Sequence, residues 1–198
     1  MDDLVARAMQ KWPNVAKVYG WLRLDRRGNW LVKSRQGTFE RIGNQALTDF
    51  IGRNYADDPQ GRWYFQNGPQ RVFVALDYTP WVYRLCDSGA SLLAHNGAPV
   101  QRLERLLLDQ AGAMLAVGER GVGVISDRDL PPLVERLAAE NPELDGGEAL
   151  PRLAALPHSP QILLFGRPLL LAQVQGASLP GIYGFNPDPQ PAPGEPDC

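Results

Sequence analysis

The sequence predicts an α+β protein, two divergent copies of a hairpin-helix-hairpin β-rich unit sharing a core, plus an N-terminal helix. Three observations predict it. Alternating apolar and polar runs are broken by Asp-x-x-Gly and Asn-Gly turn signals. Each half carries one segment of helical period after its first hairpin. Residues of the first hairpin also return later in the chain: Leu22, Leu24, Asp25, Gly28 and Leu31 reappear 84 positions on as Leu106, Leu108, Asp109, Gly112 and Leu115.

Residues 2–12 place Leu4, Val5, Ala8, Met9 and Trp12 at helical spacing, with Asp2 and Asp3 at the end where the helix dipole favours negative charge. Pro13 ends that helix. The first hairpin runs from Trp21 to Val32, where Asp25 can bond the backbone two residues on and Gly28 supplies the positive φ that turns the chain. A third run, Thr38 to Ile42, adds an edge strand. Asn44 then caps a helix carrying Leu47, Phe50, Ile51 and Tyr55. After the turn cluster Asp57 to Gly61, the runs Arg62 to Gln66 and Arg71 to Asp77 form a hairpin about Asn67-Gly68. Trp81 to Leu85 follows, and Asn96-Gly97 joins Ser91–His95 to a strand near Val100.

The second copy opens with Leu106 to Leu115. Ile125, Leu130, Leu133 and Val134 then follow Ile42, Leu47, Phe50 and Ile51 at an offset of 83. Asp129 caps its helix, and Pro131 and Pro132 lie in the first turn, where proline is tolerated. An insertion from Asn141 to Pro160 holds a short helical stretch through Leu150, Leu153 and Leu156. Ile162 to Leu171 closes the copy, with Gly166 in the place of Gly68. The expected organisation is an N-terminal helix over 1–18, repeat units over 19–102 and 103–185, and a disordered proline-rich tail over 186–198.

The charge of −2 argues against a nucleic-acid partner held by bulk electrostatics. That total conceals an asymmetry: thirteen Lys/Arg against eight Asp/Glu up to residue 85, seven against fourteen after it. Attraction between two packed halves accounts for it, and a basic face offered to an anionic partner is the sharper alternative. No run reaches the 18 or so apolar residues of a membrane helix, and Met1 to Gln10 has no apolar signal core, so the expectation is a cytoplasmic protein without a membrane partner. Cys86 and Cys198 suggest neither a disulfide framework nor a zinc knuckle.

No pattern announces catalysis. His95 and His158 stand apart from any second ligand type at helical spacing, so no metal and no cofactor is expected. GxSxG, HExxH and GxxxxGK[ST] are missing, and Gly118 to Gly123 reads as a turn between apolar strands rather than a phosphate loop. Only Arg62 to Leu85 leaves residues over once a core is built. With Val72, Val74 and Leu76 inward, Arg71, Phe73, Ala75 and Asp77 share the other face. The candidate ligand-binding residues are Tyr64, Gln66, Asn67, Arg71, Phe73, Asp77, Trp81 and Arg84, where aromatics supply area and Arg and amides fix orientation. Coverage of this face by the other copy is the competing reading.

Gly20-Trp21-Leu22 with Gly28-Asn29-Trp30, then Leu47, Phe50, Ile51, Asn54 and Tyr55, and above all Gly61 to Val74 with Thr79-Pro80-Trp81, resemble an uncharacterised family of proteobacterial hypothetical proteins. The likeness runs from Trp12 to Phe185, specific in the first half and looser in the second. More distantly, the order is similar to a bacterial family of unknown function with repeated β-rich motifs, for which a ligand-binding or signalling role has been suggested. Neither resemblance implies a catalytic residue. The function expected is ligand binding or regulation without catalysis, the partner being a small molecule or a protein. A hydrolase or transferase using acidic residues in a pocket between the repeats and an interaction scaffold stay open as alternatives.

Overall fold

The structure is a computed structural model describing residues 1–12, 15–144, 153 and 160–193. It is a mixed α+β protein with two large sheets. The chain divides into two compact units, Met1–Pro80 together with the segment that starts at Gly184, and Trp81–Tyr183.

In the first unit, helix α1 (Asp3–Lys11) precedes β1 (Val18–Leu24), β2 (Trp30–Lys33), β3 (Phe39–Arg41), α2 (Gln45–Arg53), β4 (Tyr55–Asp57), β5 (Trp63–Asn67) and β6 (Gln70–Leu76). These six strands form one sheet in the order β3-β2-β1-β6-β5-β4, with β1 and β6 parallel at its centre and antiparallel pairs outward. Asp25 closes the β1–β2 turn: its Oδ1 accepts from the amides of Arg27 and Asn29, both at 2.8 Å, while Gly28 takes φ 78°. Asn44 caps α2 by accepting from the Leu47 amide at 3.1 Å. Leu22, Leu24, Trp30, Phe65, Val74 and Leu76 are buried, and Phe50 of α2 meets the Phe65 ring edge-on at 5.4 Å. At the other end of α2, buried Asn54 accepts from the Gln66 amide through its carbonyl and from the Asp2 amide through its Oδ1, so one residue anchors α1, α2 and β5.

The second unit contains β7 (Trp81–Leu85), β8 (Leu92–Ala94), β9 (Pro99–Val100), β10 (Leu103–Asp109), β11 (Met114–Gly118), β12 (Gly121–Ile125), α3 (Leu130–Glu140), β13 (Gln161–Leu164), β14 (Arg167–Val174) and α4 (Leu179–Tyr183). Its sheet runs β13-β14-β10-β11-β12-β7-β8-β9, with β10 parallel to β14 and β12 parallel to β7. Read from β12, the stretch β12-β11-β10-β14-β13 has the same pairing pattern as β3-β2-β1-β6-β5 in the first sheet, including one parallel pair. Asp109 Oδ1 accepts from the amides of Ala111 and Ala113 at 2.8 and 2.7 Å, and Gly112 takes φ 79°. Arg167 Nη1 at the start of β14 donates to the carbonyl of Gln101, just ahead of the adjacent β10, at 3.2 Å, while Leu92 and Val100 of β8–β9 line one hollow with Leu164 and Leu169 of β13–β14.

Five details differ from the sequence expectation. Tyr55, expected on the helix capped by Asn44, instead opens β4 and pairs with Phe65, because α2 ends at Arg53. The division between units falls at Pro80 rather than at residue 102, because β7 pairs in parallel with β12 and carries β8 and β9 into the second sheet. Asp129 makes no side-chain cap on α3; its Oδ1 accepts instead from the Leu85 amide at 3.3 Å. The pairing Asn67↔Gln70 and Leu164↔Arg167 puts Phe165, not Gly166, at the place of Gly68, and both have φ 55°. The tail expected to be disordered from residue 186 is bonded at its start: Asn186 donates to the Gly61 carbonyl, and Leu76 donates to the Pro187 carbonyl. Phe185 is buried, and a Cβ at Gly61 would run into the Gly184 carbonyl, so the turn must be glycine. The helical stretch expected through Leu150 and Leu156, together with His158 and Cys198, lies outside the described residues. Among the described residues no helix is long and apolar enough to cross a membrane.

Candidate functional site

Strand alternation sorts the β5–β6 hairpin into two faces. Trp63, Phe65, Val72 and Val74 fall on one, and Tyr64, Gln66, Arg71 and Phe73 on the other, with Tyr64 opposite Phe73 and Gln66 opposite Arg71. On this second face the rings of Tyr19 and Phe73 stack at 4.5 Å and 10°, and Tyr64 meets Phe73 edge-on at 6.0 Å. The three form a small buried cluster that Ala56 packs against.

Two arginines cover these rings and do different work. The Arg62 guanidinium lies 4.6 Å over Phe73, donates to Tyr19 Oη at 3.3 Å and forks onto Asp58 Oδ2 at 2.8 and 2.9 Å. Burial raises the Asp58 carboxyl, but hydrogen bonds from the Arg62 side chain and from the Arg62 and Gln60 amides outweigh it and hold the group below the ordinary carboxylate range. Arg62 is therefore a clamp between the β4–β5 turn and the ring layer. The Arg71 guanidinium stands 4.3 Å over Tyr64 and borders a cleft of about 320 Å³. Met9 and Trp12 from the end of α1, Val15 and Lys17 from the segment entering β1, and Gln66 and Pro69 from the hairpin complete its wall.

Gln66 is the unusual member. It is 1% exposed. Its Nε2 donates to the Gly68 carbonyl at 2.9 Å, which fixes the orientation of the amide, since the flipped form would set two acceptors against each other. Oε1 is then a buried acceptor with no hydrogen-bond partner among the described residues. Such an atom carries a desolvation cost unless a donor reaches it.

Of the eight residues marked from the sequence, Gln66 and Arg71 line the cleft, while Tyr64 and Phe73 belong to the buried ring layer beneath Arg71 and Arg62. Asn67 is exposed on the opposite face at the hairpin tip. Asp77 follows the far end of β6 and pairs with Arg23 at 3.5 Å; burial raises its carboxyl, Arg23 opposing and Asp25 adding to the shift. Trp81 and Arg84 lie in β7, in the second unit; Trp81 is 7% exposed and pairs across the ladder with Gly123, so it is a packing residue there. Sequence reasoning missed Met9, Trp12 and Lys17 as neighbours of Gln66. The available signal was the apolar stripe of α1, which ends on Trp12 beside a hairpin rich in amides and arginine. Among the described residues no group of three or more His, Cys, Asp or Glu could hold a metal.

The family described as "Protein of unknown function (DUF2946)" matches residues 1–190. No curated protein matches the chain. A crystal structure of a DUF1285 family protein from Silicibacter pomeroyi DSS-3 is similar at 20% identity, covering 69% of this chain and 85% of that one with a TM-score of 0.42.

Proposed function

Since the chain belongs to this family of unknown function, its role has to be read from its own residues, and we propose that it is a cytoplasmic binding protein for a small anionic molecule, without catalytic activity. The observation that carries the reading is that Gln66, whose Oε1 is buried without a partner, is one of the residues lining a cleft that also presents Arg71 and Lys17. The two cations suit a carboxylate or phosphate, Gln66 Oε1 suits an N–H or O–H on the same molecule, and Trp12 and Met9 provide apolar walls. The net charge of −2 supports a small ligand over nucleic acid.

Within this proposal the two units are divergent copies of one ancestral hairpin-helix-hairpin. The matching strand orders and the two Asp turns 84 residues apart support the common origin. The cleft lies in the first unit, between its N-terminal segment and the β5–β6 hairpin.

Native mass spectrometry of the purified full chain tests the binding reading. The expected result is a retained anion of small mass that Arg71→Ala releases, with affinity falling roughly 10- to 100-fold, the equivalent of one charge-assisted hydrogen bond. Arg71→Ala with unaltered retention, or a wild type that neither retains a small anion nor is stabilised by any member of a carboxylate and phosphate panel, overturns it.

A further inference from the structure

A second hollow, of about 140 Å³, lies entirely in the second unit, where the curled sheet brings the β8–β9 region against the β13–β14 hairpin. Leu92, Val100, Leu103, Leu164, Phe165 and Leu169 make its wall apolar. Arg167 stands at its edge, exposed, with Nη1 on the Gln101 carbonyl at 3.2 Å. That bond uses one of five guanidinium donors.

Phe165 is held where a phenylalanine is costly. It is the one non-glycine residue among those described with positive φ, at 55°, in a turn whose other central residue, Gly166, has φ 68°. Helix α3 secures it: the Arg136 guanidinium lies 5.3 Å over the Phe165 ring, and Glu140 takes Arg136 Nε on Oε1 and the Gly166 amide on Oε2, at 2.8 and 2.9 Å. A glycine or asparagine would relieve this backbone, and what the phenylalanine adds instead is an aromatic wall to the hollow. Strain of this kind persists where the surroundings over-determine it, and such positions gather at ligand sites.

We infer that this hollow binds a small monocarboxylate with a compact apolar body, the body against Leu103, Phe165 and Leu169 and the carboxylate on Arg167. The size suits a benzene-sized body, since apolar cavities of about this volume hold benzene. Arg167 is the one charged residue among those lining the hollow, beside the polar Ser91 and Gln101, and it selects an anion over a neutral molecule. The inference uses only residues of the second unit and is independent of the cleft beside Gln66.

Benzoate is the probe, and benzamide, with nearly the same shape and no charge, is its control. Saturation-transfer NMR on the full chain is expected to show benzoate binding with a Kd of about 1 mM or tighter. Benzamide and Arg167→Gln are each expected to weaken binding at least tenfold. Arg167→Lys, which keeps the charge but loses the fork, falls between. Leu103→Phe, at a half-buried wall position, is expected to exclude the probe while circular dichroism stays native. Equal binding of benzoate and benzamide, undiminished binding by Arg167→Gln, or no wild-type signal at about 10 mM benzoate overturns the assignment.

Discussion

In Gln66→Leu the buried acceptor disappears while most of the side-chain volume stays. An unpaired buried acceptor costs about 1–3 kcal/mol, and the bond that Nε2 makes to the Gly68 carbonyl contributes about 1 kcal/mol. Gly68 is only partly buried, so water recovers some of that loss. The Gln66 amide keeps its bond to the Asn54 carbonyl, since the backbone is unchanged. The balance favours the variant by about 1 kcal/mol, or roughly 2–4 °C in Tm for a chain of this size. Urea unfolding followed by both far-UV dichroism and tryptophan fluorescence measures it, two probes being needed because two units can unfold separately. The same variant should lose the anion that the wild type retains, because the ligand's donor has nothing left to meet. A variant destabilised by more than about 1 kcal/mol would make Gln66 a structural residue whose Oε1 is satisfied, and the cleft would lose its argument.

Asp109 and Asp25 tie equivalent turns, but Asp109 is 7% exposed while Asp25 is only half-buried; Asp109→Ala should cost about 2–3 kcal/mol and Asp25→Ala about half of that in chemical denaturation, and equal costs would contradict the burial argument. Burial, with the Arg84 charge adding, lowers the His95 imidazole from 6.5 to about 3. The unfolded chain therefore takes up a proton between these values that the folded one refuses. Stability is whole above pH 6.5 and falls with acidification towards pH 3 by up to about 1.4 kcal/mol per pH unit, so lowering pH from about 7.5 to about 5 should cost the wild type about 2 kcal/mol more than His95→Phe; equal losses refute it. The Cys86 thiol is lowered from 9.0 to about 6 by hydrogen bonding with Ser88 first and Ser91 second. In a Cys198→Ala background its alkylation by iodoacetamide should be half-maximal near pH 6, Ser88→Ala should move that midpoint upward, and a midpoint near 9 would discard the shift.

The local signals in the sequence read well because each is satisfied by near neighbours. Asp25 and Gly28 close their turn within five residues, Asn44 caps within four, and alternation alone places Arg71 and Phe73 together on one face. Pairings between distant segments leave no comparable mark. Nothing in Trp81 to Leu85 says that it lies parallel to Gly121–Ile125 rather than beside the preceding strands, since both choices satisfy the same apolar pattern. The Gly166 misreading has the same origin: glycine is the expected carrier of positive φ, and only the ladder register shows that Phe165 bears it as well. The roof of the cleft was hidden because Trp12 and Lys17 meet Gln66 across some fifty residues of chain. The start of the tail looked structureless because its prolines signal disorder, yet one of them accepts the Leu76 amide.

That bond also sets a timetable for synthesis. The edge formed by Gly61, Arg62 and Leu76 waits for Gly184 to Pro187, which leave the ribosome only after every residue of Trp81–Tyr183 has been made. The interior stretch has all of its strands before the flanking one has its last, so it is free to mature first during translation, although it is encoded second. A released chain truncated at residue 183 would carry a finished middle and an open, unsealed beginning, a state in which a protease should cut the early residues and spare the later ones.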